Sequence, residues 1–362
     1  MLDNLAINEP RLKVSDEDRQ LLRLAVLLHD LGHFPFSHVI ERVMKRRSGN
    51  AGKHEVLSRF ILEDKTDWSI SQVLHKASTR DGVVKLLKGK YPGPALYGYL
   101  ISSDLDVDRL DYLQRDSVHT GVAYGAIDAE RILRTATVDN PENPSFLVAM
   151  SKGAYAIENY ILARYHMYNS VYYHKVITAF ELMLDRLYEL LSDDHVGFLP
   201  KLEAVHRMSE EEFTAYDDGY VLSAFTRYLK EGKSDAASEL IRMLYARSPV
   251  KEAYREFKVT EMKDLKFDKL REDTTDIIRD KLAQESEIDR DWIFVTECQI
   301  PIMSETDEEA IYVQSDGKPI KIADDDRSIV SKLGGFGMRG YRIFTKAELV
   351  EKLGSSIGTM RT

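Results

Sequence analysis

The sequence predicts a mainly α-helical protein that closes with a small α+β region. From residue 15 to about residue 285, apolar side chains recur at three-and-four spacing, and the short alternating runs that mark strands are few. Near residue 290 the pattern changes to WIFVTECQI, IYVQSDGKPIKI and YRIF, runs rich in β-branched and aromatic residues. The 362 residues are ample for a well-buried core, and 43% hydrophobic with 30% charged residues is the balance of a globular protein.

Each element has a local reason. Ser15, followed by Asp16, Glu17 and Asp18, supplies an N-cap and first-turn carboxylates for a helix through LLRLAVLL. Continuous apolarity marks that helix as buried, and it ends by delivering His29 and Asp30. Gly32 and Pro35 interrupt the pattern, so GHFPFSH reads as a tight loop before a helix through VIERVMKRR. The Gly-, Ser- and Lys-rich stretch at residues 48 to 53 reads as another loop. Asp316-Gly317 is a hairpin turn between two of the late strands. Thr345 to Glu348 has the spacing of a capping box, predicting a short final helix that stops at Gly354.

Composition narrows the function. No apolar run approaches the roughly 20 residues of a membrane-spanning helix. The opening MLDNLAINEPRLKVSDEDRQ lacks the features of a signal or transit peptide, so a cytoplasmic protein with no membrane partner is expected. The single cysteine, Cys298, excludes an internal disulfide framework and a multi-thiolate zinc site, leaving histidine and carboxylate as the available metal ligands. A net charge of −10 argues against sequence-specific nucleic-acid binding, despite the local run Lys45-Arg46-Arg47. An acidic protein that handles nucleotides must gather positive charge in its pocket.

Two clusters stand out. In His29-Asp30-Leu31-Gly32-His33-Phe34-Pro35-Phe36-Ser37-His38, a His-Asp pair ends a buried helix and two histidines follow. Burying an ionised carboxylate costs several kcal/mol unless a metal or a cation offsets it, although a bare His-Asp pair is more often an ordinary ion pair. In SSDLDVDRLDYLQRDSVHTG, Asp104, Asp106, Asp108 and Asp111 crowd eight residues and demand cationic neighbours. At helical spacing Asp108, Tyr112 and Asp116 share one face, with Arg109 adjacent. Arg164, Tyr168, Tyr172 and Lys175 are expected to share another. His54 has an imidazole suited to proton transfer near neutral pH.

HDLGHFPFSH together with DVDRLDY resembles the signature of the HD-domain superfamily of metal-dependent phosphohydrolases, most closely its deoxynucleoside triphosphate (dNTP) triphosphohydrolases. The resemblance implies an HD-type helical core over residues 1–190, a helical extension over 191–289 and a small α+β region over 290–362. It implies a divalent metal (Mn, Fe, Mg or Zn) held by His29, Asp30 and Asp108. By the same match His33 and His38 approach substrate phosphates, and His54 is the general acid. Arg109 contacts phosphate, Tyr112 flanks the nucleotide and Asp116 bonds the sugar, while Arg164 grips the terminal phosphate and Tyr172 stacks near the sugar. The implied reaction releases deoxynucleoside and inorganic triphosphate.

Further expectations follow from the family. A homo-oligomer is implied, and His174 and Lys175 match positions that serve a regulatory nucleotide in some members. The family pattern places one more ligand histidine on a preceding helix, whereas the first histidine here is His29. Either the sequence starts inside the family domain, with MLDNLA as the tail of that helix, or this member has lost the ligand. Two alternatives stay open: an HD phosphodiesterase or nucleotidase acting on other nucleotides or single-stranded nucleic acid, and a catalytically impaired nucleotide-binding regulator.

Overall fold

The computed structural model describes residues 1–63, 67–193, 195–261, 272–303, 306 and 309–360. Helices dominate. The first half runs α1 (Leu2–Asn8), α2 (Asp16–Leu28), α3 (His38–Ser48), α4 (His54–Leu62), α5 (Ser69–Lys76), α6 (Arg80–Leu87), α7 (Leu96–Ile101), α8 (Val107–Thr120), α9 (Ala129–Arg134) and α10 (Ala154–Met167). The second half holds α11 (Lys175–Leu191), α12 (Leu202–Val205), α13 (Glu210–Thr214), α14 (Asp218–Lys230), α15 (Ala236–Tyr245), α16 (Glu272–Ser286) and α17 (Val350–Met360). Among the described residues no helix is long and apolar enough to cross a membrane.

Among the described residues seven strands form two sheets. β1 (Ala136–Val138), β2 (Leu147–Ala149), β5 (Tyr312–Ser315) and β6 (Lys318–Lys321) are ordered β1-β2-β5-β6, with β2 and β5 parallel. β3 (Lys251–Glu261), β4 (Phe294–Pro301) and β7 (Phe336–Thr345) form an antiparallel sheet with β7 in the centre. The hairpin turn lies where expected: Asp316 and Gly317 take φ of 49° and 79° between β5 and β6, as a type I′ turn requires.

Three local expectations need correction. β3 lies inside the stretch read as helical, because ten backbone pairings to β7 outweigh the helix propensity of its Lys, Glu, Ala and Arg residues. Thr345 does not cap a helix. It ends β7 with its hydroxyl buried and unpartnered, and the final helix starts at Val350 and runs through Gly354 to Met360. The face from Arg164 to Lys175 is broken, since α10 ends at Met167 and residues Tyr168–Tyr172 form a π-helical turn. Lys175 then opens a separate helix.

Two apolar cores flank the His-Asp loop and the acidic run. One gathers Leu21, Leu22 and Ala25 of α2 with Leu100, Leu110 and Tyr160; the other gathers Ile40 and Val43 of α3 with Ile61, Met183 and Phe344. Leu31, in the loop after α2, packs against both. That loop is thereby pinned at the seam between them.

Candidate active site

α2 ends where its apolar face meets the polar seam, and Ser15 caps its start by accepting from the Asp18 N–H at 3.0 Å. At its C-terminus His29 Nδ1 lies 2.7 Å from the Val26 carbonyl, so Nδ1–H donates there and Nε2 keeps its lone pair. Nε2 of His29 is 3.2 Å from Asp30 Oδ1. Asp108, in the first turn of α8, completes a trio with His29 and Asp30 whose ligand atoms all lie within 4.8 Å of one another. Burial and the nearby charges of Asp30 and Asp111 lift Asp108 above the usual carboxylate range, against the pull of His29. A divalent cation among these groups would relieve that repulsion, and an imidazole nitrogen with two carboxylates suits such an ion.

The loop between α2 and α3 is held by α4. Ser58 donates to the His29 carbonyl at 2.6 Å and accepts from the Gly32 N–H at 2.8 Å. Phe36 and Ser37 both have positive φ, 51° and 48°, and the Phe36 N–H donates to Asp218 of α14 at 2.7 Å. Strain in non-glycine residues persists only where the surroundings fix it. Here it aims His38 into the site.

Three imidazoles meet there. His33 stacks on His54 with centroids 4.0 Å apart and planes 12° apart, and His38 meets each edge-on, at 5.0 and 5.4 Å. His33 Nε2 and His54 Nε2 are each 3.5 Å from Asp30 Oδ1. Burial works against the Asp30 charge, but hydrogen bonds from His33 and His54 hold its carboxyl well below the usual range.

Glu41, absent from the sequence reading, joins this group. It is buried, and its Oε2 accepts from Nδ1 of His38 and Nδ1 of His54, each at 2.9 Å. Burial lowers the His54 pKa, but hydrogen bonds to Asp30 and Glu41, with the charges of Glu55 and Glu41, outweigh it and lift the imidazole to about 9. The signal in the sequence was the three-residue spacing from His38 to Glu41, which puts both on one helix face.

α8 and α10 build the other wall. Asp106 caps α8 by accepting from the Arg109 N–H at 2.7 Å and pairs with the Arg109 guanidinium at 2.9 Å. Asp104 pairs with Arg164 at 2.7 Å, and its own carbonyl accepts from the Tyr160 hydroxyl at 2.6 Å. Buried carboxylates thus hold the two guanidiniums, which supply the cations the acidic run called for. Further along α8, Asp116 accepts from the Tyr172 hydroxyl at 2.7 Å, and the Tyr172 ring meets Tyr112 and Tyr168 edge-on at 6.2 and 5.1 Å. His174 and Lys175 are exposed beyond the π-helical turn.

Residues 2–116 match the HD domain, and residues 127–357 match the HD associated region. The chain belongs to the HD-domain family. Bacillus subtilis YwfO is 35% identical over 253 residues, covering 67% of this chain and 54% of that protein. The deoxynucleoside triphosphate triphosphohydrolase SAMHD1 of Bos taurus is 24% identical over 255 residues, 63% of this chain and 42% of the relative. A phosphohydrolase crystal structure from Bacteroides thetaiotaomicron superposes with a TM-score of 0.68 at 25% identity, covering 95% of this chain and 84% of that one. The chain spans about half the length of YwfO and a third of a Methanocaldococcus jannaschii relative. HD domains bind divalent metals, and in this HD protein His29, Asp30 and Asp108 could hold one.

Proposed function

We propose that this HD protein hydrolyses dNTPs to deoxynucleoside and inorganic triphosphate in the cytoplasm. The observation that carries the reading is the continuity of α8. One helix presents Asp108 beside His29 and Asp30, Arg109 in the next position, and Asp116 against Tyr172 two turns on. Its length suits a ligand with a phosphate chain at one end and a sugar at the other. The similarity to SAMHD1 proteins supports a nucleotide substrate.

His29, Asp30 and Asp108 would hold the divalent ion, of Mn, Fe, Mg or Zn type, which supplies Lewis acidity and activates water near neutral pH. Arg109 and Arg164 neutralise phosphate oxygens, already fixed in direction by Asp106 and Asp104, so little reorganisation is needed as charge shifts. His33 and His38 line the phosphate side. His54, held protonated on Nε2 by Asp30 and oriented by Glu41, donates to the departing 5′ oxygen. Asp116 and Tyr172 hold the sugar, with Tyr112 beside them. Exposed His174 and Lys175 suit a regulatory nucleotide at a contact with a second copy of the chain.

The test is chromatographic detection of deoxynucleoside and inorganic triphosphate from each dNTP, with each candidate metal, beside an Asp108→Ala control. Triphosphate release abolished by the substitution supports the reading. Monophosphate or cyclic-nucleotide turnover instead would move the protein to a phosphodiesterase or nucleotidase role. Nucleotide binding without turnover would make it a regulator.

A further inference from the structure

We propose that Arg342, on the central strand of the C-terminal sheet, is a positioning residue for the nucleotide-binding wall, because it holds the turn that presents Tyr172. The proposal rests on the reading of Tyr172 and Asp116 as nucleotide contacts.

Arg342 is 5% exposed. Its Nη1 donates to the Tyr173 carbonyl, with the Thr178 hydroxyl at 3.5 Å. β3 fixes the guanidinium from behind: Glu252 Oε1 is 3.2 Å from Nε, and the guanidinium lies 4.9 Å from the Phe257 ring centroid. Burying a guanidinium is costly; Nε and Glu252 Oε1 make no hydrogen bond to each other, so the guanidinium's hydrogen bonds are those Nη1 makes to the Tyr173 and Thr178 segment. The sheet itself does not need this contact, since β7 is paired on both sides along its length.

The turn does need it. After the π-helical residues Tyr168–Tyr172, the Tyr173 and His174 N–H groups donate back to the carbonyls of Tyr168 at 2.8 Å and Val171 at 3.1 Å. Tyr173 lies between α10 and α11, so its carbonyl falls outside either helix's ladder, and Arg342 reaches it from the sheet. π-Helical turns are rare and concentrate at functional sites, where outside contacts sustain them. One residue earlier, the Tyr172 hydroxyl donates to Asp116. The path from sheet to site is therefore short: Arg342, the Tyr173 carbonyl, the Tyr172 ring, Asp116. In this arrangement the C-terminal sheet is a working part of the nucleotide site.

The experiment compares Arg342→Gln and Arg342→Lys in the full chain with wild type. Hydrogen exchange at residues 168–174 is measured without substrate, and KM, kcat, nucleotide Kd and bound metal are measured with it. Arg342→Gln is expected to speed exchange at Tyr173 and His174 about tenfold, and to raise KM about five- to tenfold with kcat within about twofold. Metal content should not change, and Arg342→Lys should recover part of both effects. Unchanged exchange and KM would overturn the proposal. Equal loss of kcat, metal and fold would also overturn it, leaving Arg342 a general scaffold residue. Should Arg342→Gln not fold, Glu252→Gln, which loosens only the anchor behind the guanidinium, is read by the same measures. If wild type turns over no dNTP, the proposed reaction fails by itself, and exchange with nucleotide Kd still decides the role of Arg342.

Discussion

Glu41 and His54 face each other at 2.9 Å, both buried, from two helices whose register the HD loop fixes. A shared carboxylate that accepts from Nδ1 sets which nitrogen each histidine offers to the site. Glu41→Gln keeps the shape but removes the charge, and outer-shell partners of this kind are worth about 10–100-fold in activity or affinity. The expected result is a fall of that size in kcat. In metal-free protein, an NMR titration of the His54 ring should show its pKa falling from about 9 toward the ordinary histidine value. A ring pKa unchanged by the substitution would remove Glu41 from the proton-handling role.

Gly32 leaves no room for a side chain. A Cβ there would sit 2.3 Å from the Ser58 nitrogen and 2.5 Å from the His54 carbonyl, both backbone atoms that cannot swing aside. Gly32→Ala should therefore push the loop off α4 and move His29 and His33 together. Overpacking of this kind costs about 1–3 kcal/mol. Chemical denaturation should show that loss, and metal titration should show weaker binding. Wild-type stability with weakened binding would instead mean that the loop had moved without strain.

How much of this was legible beforehand depends on whether the signal was local. The Ser15 cap, the end of α2 at His29 and the Asp316-Gly317 turn depend on neighbours in sequence, and all three appear as read. β3 was hidden for a physical reason. Its alternation is disturbed by a register shift between Glu252 and Tyr254, and its partner β7 lies some eighty residues away. The π-helical turn after Met167 adds a residue to the helix without any proline or glycine to announce it, so three-and-four counting placed Lys175 on the wrong face. Within the site, the spacing of Asp108, Tyr112 and Asp116 held because α8 is regular. Glu41 went unread because a glutamate beside Arg42 and Arg46 looks like a solvated helix face until α4 is packed over it.

Tyr172 and Asp116 provide a direct test of the proposed sugar end. Tyr172→Phe removes the hydroxyl that donates to Asp116 at 2.7 Å while keeping the ring against Tyr112 and Tyr168. A hydrogen bond to a charged group is worth about 1.5–3 kcal/mol, so nucleotide KM should rise about tenfold or more with little change in metal content. If KM holds and only thermal stability drops, the pair is a brace rather than a substrate contact.

Asp18 sits at the opposite end of α2 from His29 and gives a clean pH test. Burial raises its pKa, but hydrogen bonds from Tyr91 at 2.6 Å, from Ser15, and from Tyr97 at 3.1 Å outweigh it and leave the carboxyl below its ordinary value. A group whose folded pKa is depressed stabilises the fold above its unfolded pKa, near 3.9, and loses that contribution as pH falls through the folded value. The pair of tyrosines clamps α2 to the first turn of α7 and the segment before it, so the effect reaches the helix that carries His29. Asp18→Asn should lower stability by about 1 kcal/mol at pH 7, since the site is largely solvent-screened. Melting curves of the two proteins should converge as the pH falls below the ordinary carboxylate range and through the depressed folded value. A gap that stays constant across that range would mean that shape, not charge, is what Asp18 contributes.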